Sequence, residues 1–301
     1  MAFTAKDVQT LREKTGCGMM DCKKALTESN GDMEKAIDLL REKGLAAAEK
    51  KAGRIAAEGM VYAAVDGKLG AIVEINSETD FVAKNTGFQA FVADVANSVI
   101  KNDPADVEAL MSCDAGGQSV EAALQEKILT IGENIKIRRF QRYEGVLKAY
   151  IHGGGTHAVL VKFDTDDATA AKPEFEVYAK DVAMQIAAAN PQYVKKEEVP
   201  GDEIEREKAV LTQQAINEGK PANIAEKMVM GRIQKYYKDI CLLEQPFVKD
   251  GEMTVAQYTG KVAKELGADI TVVAFTRYEK GEGLEKRQDD FASEVASMQN
   301  K

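Results

Sequence analysis

Histidine, cysteine and long apolar runs are scarce in this chain, basic charge is outweighed by acidic, and each shortfall removes a class of function. Four cysteines (Cys17, Cys22, Cys113, Cys241) are scattered over 301 residues. That usage reads as free thiols of a reducing cytosol and not as a disulfide framework. Cys17 and Cys22 lack the spacing of a zinc site and read as small buried hydrophobes. No apolar run approaches the length a bilayer needs, and the first turns carry Lys6, Asp7, Arg12, Glu13 and Lys14. The sequence therefore predicts neither a membrane span nor a secretory signal, and a cytoplasmic location. The formal net charge is -9. Nucleic-acid binding rests on phosphate neutralisation, so an acidic chain argues against it. The one basic cluster, Lys43 to Arg54, is broken by Glu49 and reads as a solvated linker helix. Protein partners are favoured.

Signatures of small-molecule chemistry are missing too. There is no nucleophile elbow and no dinucleotide fingerprint. The only histidines, His152 and His157, flank Gly153-Gly154-Gly155, which lacks the Lys-Ser/Thr of a phosphate loop. No Cys or carboxylate stands at ligand spacing around them, although Asp164, Asp166 and Asp167 offer a weak cation site nearby. His152 reads as an interface or hydrogen-bonding residue. No catalytic residue, resident metal or cofactor is expected, and the chain is not expected to be an enzyme. A metal-dependent enzyme centred on the two histidines stays open as a competing reading.

What is present is a chain of ordinary globular composition, 45% hydrophobic and 30% charged, long enough for two or three domains. Residues 1–55 read as a small helical module plus linker. Val8 and Leu11 mark a first helix closed by Gly16-Cys17-Gly18. Met19, Cys22 and Leu26 mark a second, stopped by Asn30-Gly31. Met33, Ile37 and Leu40 mark a third, with Gly44 as its C-cap. From Met60 the period becomes that of strands. Met60–Val65 and Lys68–Ile75 form a hairpin whose Asp66-Gly67 is a type I′ turn signal. A helix follows with Phe88, Phe91, Val92, Val95, Ala96 and Val99 on one face.

The same plan then returns. Val146–Ile151, the three glycines and Ala158–Phe163 repeat the hairpin, and Phe175, Tyr178, Val182, Ala183 and Ile186 repeat the helix. The spacing is 87 residues, from Gly67 to Gly154 and from Phe88 to Phe175. Without a gap, Ala71-Ile72-Val73 then lies over Ala158-Val159-Leu160. Each copy closes on a related strand, Gly132–Glu144 and Gly267–Glu279, at a spacing of 135. The larger spacing locates an insertion at 201–237, whose charged helical segments form an antiparallel hairpin. Ile204 and Leu211 lie on one side of its seam, and Ile224, Met228 and Tyr236 on the other. The fold class is thus α+β, with duplicated core subdomains over 56–144 and over 145–200 with 238–280. A C-terminal helical module over 281–301 carries Leu284, Phe291, Val295 and Met298 at helical spacing.

One segment stands out. After the strand ending Glu74-Ile75-Asn76 come Ser77-Glu78-Thr79-Asp80-Phe81-Val82-Ala83-Lys84, which put an acid and a rigid aromatic on a loop tip. On this segment alone, Phe81 reads better as the first core residue of the next helix. At the 87-residue spacing Thr79, Asp80 and Phe81 meet Asp166, Asp167 and Ala168. The acid recurs and the aromatic does not, which favours a task specific to that loop.

Two long segments, Leu11–Leu26 and Glu74–Lys84, resemble the signatures of the translation elongation factor Ts family, the nucleotide exchange factors of elongation factor Tu. Gly132–Arg139, the helical arm and Gln245-Pro246-Phe247 add to the likeness. The resemblance spans nearly the whole chain and implies a ubiquitin-associated-like amino-terminal domain, a two-part core, a coiled-coil arm and a C-terminal module. It further implies that Thr79, Asp80, Phe81 and Val82 enter the GTPase near its Mg²⁺ and displace it. Arg12, Met19 and Met20 would grip the same GTPase domain, and Ile131, Gly132 and His152 would contact it from the core. Ser77-Glu78 departs from the Cys-Gln of many relatives, and His152-Gly153-Gly154-Gly155 departs in its hairpin, which puts the role of His152 in doubt. Elongation factor Tu is the expected partner, with no nucleic acid and no membrane, and a dimer of heterodimers is one assembly open to the pair. A binding module of the translation machinery without exchange activity is the alternative.

Overall fold

The computed structural model describes residues 3–219 and 221–285. Local chemistry sets the first helix. Thr4 and Asp7 form a reciprocal capping box at the start of α1 (Ala5–Thr15), and Gly16 ends it in the left-handed conformation. α2 (Met19–Glu28) follows, and Asp32 caps α3 (Met33–Lys51) through the Glu34 and Lys35 amides. Their shared core holds Val8, Leu11, Leu26 and Leu40 together with Cys17 and Cys22. Burial pushes both thiols above the ordinary range.

Two expectations fail here for one reason. Gly44 does not end the third helix, and the basic stretch from Lys43 to Lys51 is no separate linker helix, because α3 runs unbroken through both. Gly44 is buried against α6 (Val120–Ile131), where a Cβ would stand 3.5 Å from the Gln125 carbonyl oxygen. That is ordinary van der Waals contact, so a methyl group would fit there. Lys51, at the end of α3, donates to the Ile128 carbonyl oxygen at 3.2 Å.

The core is two three-stranded antiparallel sheets laid face to face. β1 (Glu58–Asp66), β2 (Leu69–Ser77) and β3 (Lys136–Glu144) form the first in that order. β4 (Val146–His152), β5 (His157–Asp164) and β8 (Thr271–Glu279) form the second, with Gly145 alone between β3 and β4. α4 (Thr86–Asn102) covers the outer face of the first sheet and α8 (Pro173–Ala189) that of the second. α5 (Val107–Met111) and α6 complete the first half, and α7 (Asp167–Ala170) precedes α8 in the second. β6 (Pro246–Phe247) pairs with β7 (Asp250–Thr254), and α11 (Val255–Leu266) then leads into β8.

Helices and closing strands repeat at the spacings read from sequence. α4 and α8 begin at 86 and 173, and both end on a left-handed residue, Asp103 and Asn190. α6 with β3 and α11 with β8 repeat at 135, from Val120 to Val255. The hairpin strands do not keep 87. Ile72 lies in the layer between the sheets with Leu160, whereas Val159, its partner at 87, faces α8. Ile72 to Leu160 is a spacing of 88, and Val61 to Leu147 in the same layer is one of 86. The turn accounts for the difference. Gly67 and Lys68 form a two-residue loop in the first hairpin, whereas Gly153 to Thr156 form a four-residue loop in the second. Because side chains alternate faces, an ungapped alignment by one residue turns the strand inside out.

The first turn is also not the expected I′ type. Asp66 pairs with Leu69, Gly67 has φ of +59°, and Lys68 is not among the positive-φ residues. That is the II′ pattern, which requires glycine only at its first central position. In the second hairpin Gly155 has φ of +97°, and a Cβ there would lie 2.9 Å from the Met60 side chain. The glycine lets this turn reach β1, where Val61 N donates to the Gly155 oxygen at 2.9 Å.

The inserted arm is α9 (Gly201–Asn217) against α10 (Ala222–Ile240). Its seam is Leu211 with Val229, Ile233 and Tyr237, and Ile204 packs at the base with Ile240. Ile224, expected in the seam, is exposed, and Tyr236 serves the base by donating to Glu203. Tyr193 donates to the same carboxylate. Of the expected C-terminal helix, Phe291, Val295 and Met298 lie outside the described residues.

Ile72 and Leu160 are both fully buried in the layer between the sheets. Replacing either with Ala should lower unfolding free energy by about 2–5 kcal/mol in urea titrations. A cost below about 1 kcal/mol for one alone would mean the two sheets do not share that layer.

Candidate functional site

The strand end that launches the Asp80-Phe81 loop is fixed by a buried charge. The Glu74 side chain on β2 is fully buried and accepts from Arg138 Nη1 at 3.0 Å, Arg139 Nε at 2.6 Å and Asn76 Nδ2 at 3.1 Å. The Gly281 amide, beyond β8, donates to it at 2.9 Å. A carboxylate is tolerated in such a place only when its oxygens are met by donors, as here. The Arg139 guanidinium also lies 4.1 Å from the Tyr278 ring centroid.

From that end the loop is tied down again within three residues. Ser77 Oγ donates to the Thr79 carbonyl oxygen at 2.9 Å. Thr79 N donates to Glu133 Oε2 at 2.9 Å, and Thr79 Oγ1 to Glu133 Oε1 at 2.6 Å. Glu133 belongs to the turn between α6 and β3, just past Gly132. The Glu78 carboxylate accepts from the Asn134 amide at 2.6 Å and from Arg54 Nη1 at 3.3 Å. On the far side Val82 is buried in the first core, and Asn85 caps α4 by accepting from the Phe88 amide at 3.0 Å.

Between these anchors Phe81 is 75% exposed, and Asp80 beside it is exposed as well. The ring does not fold back onto its own core. Lys84 Nζ stands 5.7 Å from its centroid. The four residues read as one motif therefore divide. Thr79 and Val82 face inward and hold the loop, while Asp80 and Phe81 project. Sequence inspection missed Glu133, Glu78 and Asn134 as the loop's support, although the change from Glu133 to Ala268 between the repeats was visible.

The other nominated residues fall into three places. Gly132 is exposed and Ile131 half-buried at the end of α6, one step from Glu133, so they join the loop cluster. Arg12, Met19 and Met20 lie exposed on α1 and α2. Their module packs on α6 through Leu129, so this one helix carries both the module and the turn that grips the loop. His152 lies apart, exposed at the tip of the second hairpin, its Nδ1 3.0 Å from Tyr150 Oη.

His157 Nε2 is 3.3 Å from a Glu279 oxygen. A hydrogen bond from Arg277, assisted by His157, holds the Glu279 carboxyl below the usual range. The two imidazoles, 6.3 Å apart between centroids, thus have different partners. Asp166 caps α7 through Thr169, and Asp167 pairs with Lys68 at 2.7 Å. Among the described residues no three His, Cys, Asp or Glu side chains converge as a metal site. None of the described helices is long and apolar enough to cross a membrane.

The division into anchors and projecting groups has a thermodynamic signature. Val82→Ala should lower unfolding free energy by about 1–3 kcal/mol, whereas Phe81→Ala should stay within about 0.5 kcal/mol of the parent. Equal losses in denaturant titrations would place the Phe81 ring in the core.

Residues 78–282 match the family model described as Elongation factor TS. The chain is 51% identical over 305 residues to elongation factor Ts of Clostridium perfringens strain 13, covering 99% of this chain and all of the relative. It is 52% identical over 305 residues to elongation factor Ts of Clostridium botulinum strain Alaska E43, with the same coverage. To that of Symbiobacterium thermophilum it is 53% identical over 300 residues, covering 97% of each.

Proposed function

The chain belongs to the elongation factor Ts family, and on that premise we propose that it releases GDP from elongation factor Tu by unsettling the bound Mg²⁺ with Asp80 and Phe81. Membership of the family implies a nucleotide exchange factor of translation. Such a factor performs no covalent chemistry and needs no cofactor of its own. The observation that carries the finer reading is the Phe81 ring, 75% exposed on a loop anchored at both ends.

A GTPase holds GDP through phosphate contacts to backbone amides and through Mg²⁺, which tolerates only near-octahedral geometry. A small displacement of the elements that order the ion is therefore costly. Phe81 acts as the wedge that causes it, and Asp80 holds the displaced conformation. The factor then favours the nucleotide-free GTPase, and by linkage GDP and factor weaken each other. Couplings between sites typically reach about 1–3 kcal/mol, so the wedge draws on a wider interface. Arg12, Met19 and Met20 grip the GTPase domain from the amino-terminal module, and Ile131, Gly132 and His152 add contacts from the core. The arm serves assembly, with a dimer of heterodimers as the product, and the complex works in the cytoplasm. Anchoring matters energetically, because a wedge held in place before contact loses little to ordering on binding.

Release of a fluorescent GDP from elongation factor Tu tests this reading. Phe81→Ala should slow stimulated release by at least about tenfold, within the usual span of allosteric couplings. Release as fast as with the parent protein would refute the wedge. A parent protein that binds the GTPase without accelerating release would instead favour a binding module without exchange.

A further inference from the structure

The pose of the projecting pair is set by a group outside the segment that carries it. We propose that Glu133 is a positioning residue for nucleotide exchange, whose carboxylate grips Thr79 and so fixes the direction in which Phe81 leaves the surface. This rests on the exchange reading above and deepens it.

The grip is two-pointed. One carboxylate oxygen takes the Thr79 amide at 2.9 Å, and the other takes its hydroxyl at 2.6 Å. Two charge-assisted bonds to one residue restrain its backbone and its rotamer together. Thr79 stands two residues before Phe81, and Val82, one residue after, is held in the core. Few torsions are left free between the two anchors. Glu78 steadies the support from the other side through the Asn134 amide, and Asn134 Nδ2 donates to the Arg54 carbonyl oxygen at 2.8 Å.

The duplicated fold supplies an internal control. At the 135-residue spacing the left-handed Gly132 matches Gly267, Asn134 matches Asp269 and Ile135 matches Ile270. Asn134 becomes an acid of the same size, and the Glu133 carboxylate is lost altogether, to Ala268. The segment opposite the loop, Thr165 to Lys172, contains no aromatic residue and folds instead into α7 under an Asp166 cap. That segment is one residue shorter than Ser77 to Asn85, so the absence of an aromatic holds for any alignment within it. The carboxylate and the ring are present together in one copy and absent together from the other. A carboxylate that served only the shared fold would be wanted in both.

A double-mutant cycle on the full chain tests the inference, read as release of fluorescent GDP from elongation factor Tu. Glu133→Ala should slow stimulated release about tenfold, the scale of coupling between contacting groups. With Phe81 already replaced by Ala, the same change should add less than about twofold. Thr79→Val, which keeps shape and removes one of the two bonds, should slow release in the same direction by less and should also lose its effect when Phe81 is Ala. Should Glu133→Ala fail to fold, the Thr79→Val cycle decides alone. Parental release rates, or equal slowing in both backgrounds, would overturn the positioning role, since a merely structural loss would not depend on the ring. If Phe81→Ala itself releases GDP at the parental rate, the exchange reading falls and this inference with it. If Phe81→Ala is slow and Glu133→Ala is additive, only the inference falls.

Discussion

A single buried carboxylate, Glu74, fixes where the outward-facing chemistry of this protein begins. It collects donors from its own strand, from β3 and from the chain just past β8. A buried charge of this kind is costly to create and more costly to leave unpaired, so its partners are held to one arrangement. The two sheets are thereby tied at the edge where the loop departs, in addition to the apolar layer between them. Arg139 extends the tie by reaching Glu282 at 3.3 Å.

The consequence for function runs along α6. Its face supports the amino-terminal module through Leu129, and its end presents Gly132 and the Glu133 grip. The module and the loop that carry the groups nominated for the partner are therefore both braced against α6 and the turn at its end. A protein that must stabilise an emptied nucleotide site without chemistry has only binding energy to use, and that energy is effective when it favours one state of the partner over the other. A wedge on a slack loop would accommodate both states. On the proposed mechanism, the anchors on either side of Asp80-Phe81 give the difference a physical origin.

Much of this architecture was legible in the residues, and what was hidden follows a pattern. The repeat of helix and closing strand could be read because α4 and α8, and α6 and α11, keep their lengths. Which face of each hairpin strand turns inward could not, because a two-residue difference in turn length shifts the strands in opposite directions. Gly44 looked like a stop signal locally, yet the helix continues through it because its buried face is packed on α6. The arm's seam was misplaced for a similar reason, since Ile224 and Val229 are equally apolar and the partner helix decides between them. Exposure of Phe81 was hinted at by its absence from the duplicate. The inward roles of Thr79 and Val82 were not, as the Thr79 partner stands 54 residues away in sequence.

On the proposed mechanism the Phe81 ring discriminates between states of the GTPase. Titration calorimetry of elongation factor Tu, emptied of nucleotide and loaded with GDP, measures that discrimination directly. The parent protein should bind the emptied form more tightly, Phe81→Ala should lose most of that difference, and Arg12→Ala should weaken both forms alike. Equal weakening of both forms by Phe81→Ala would contradict the account.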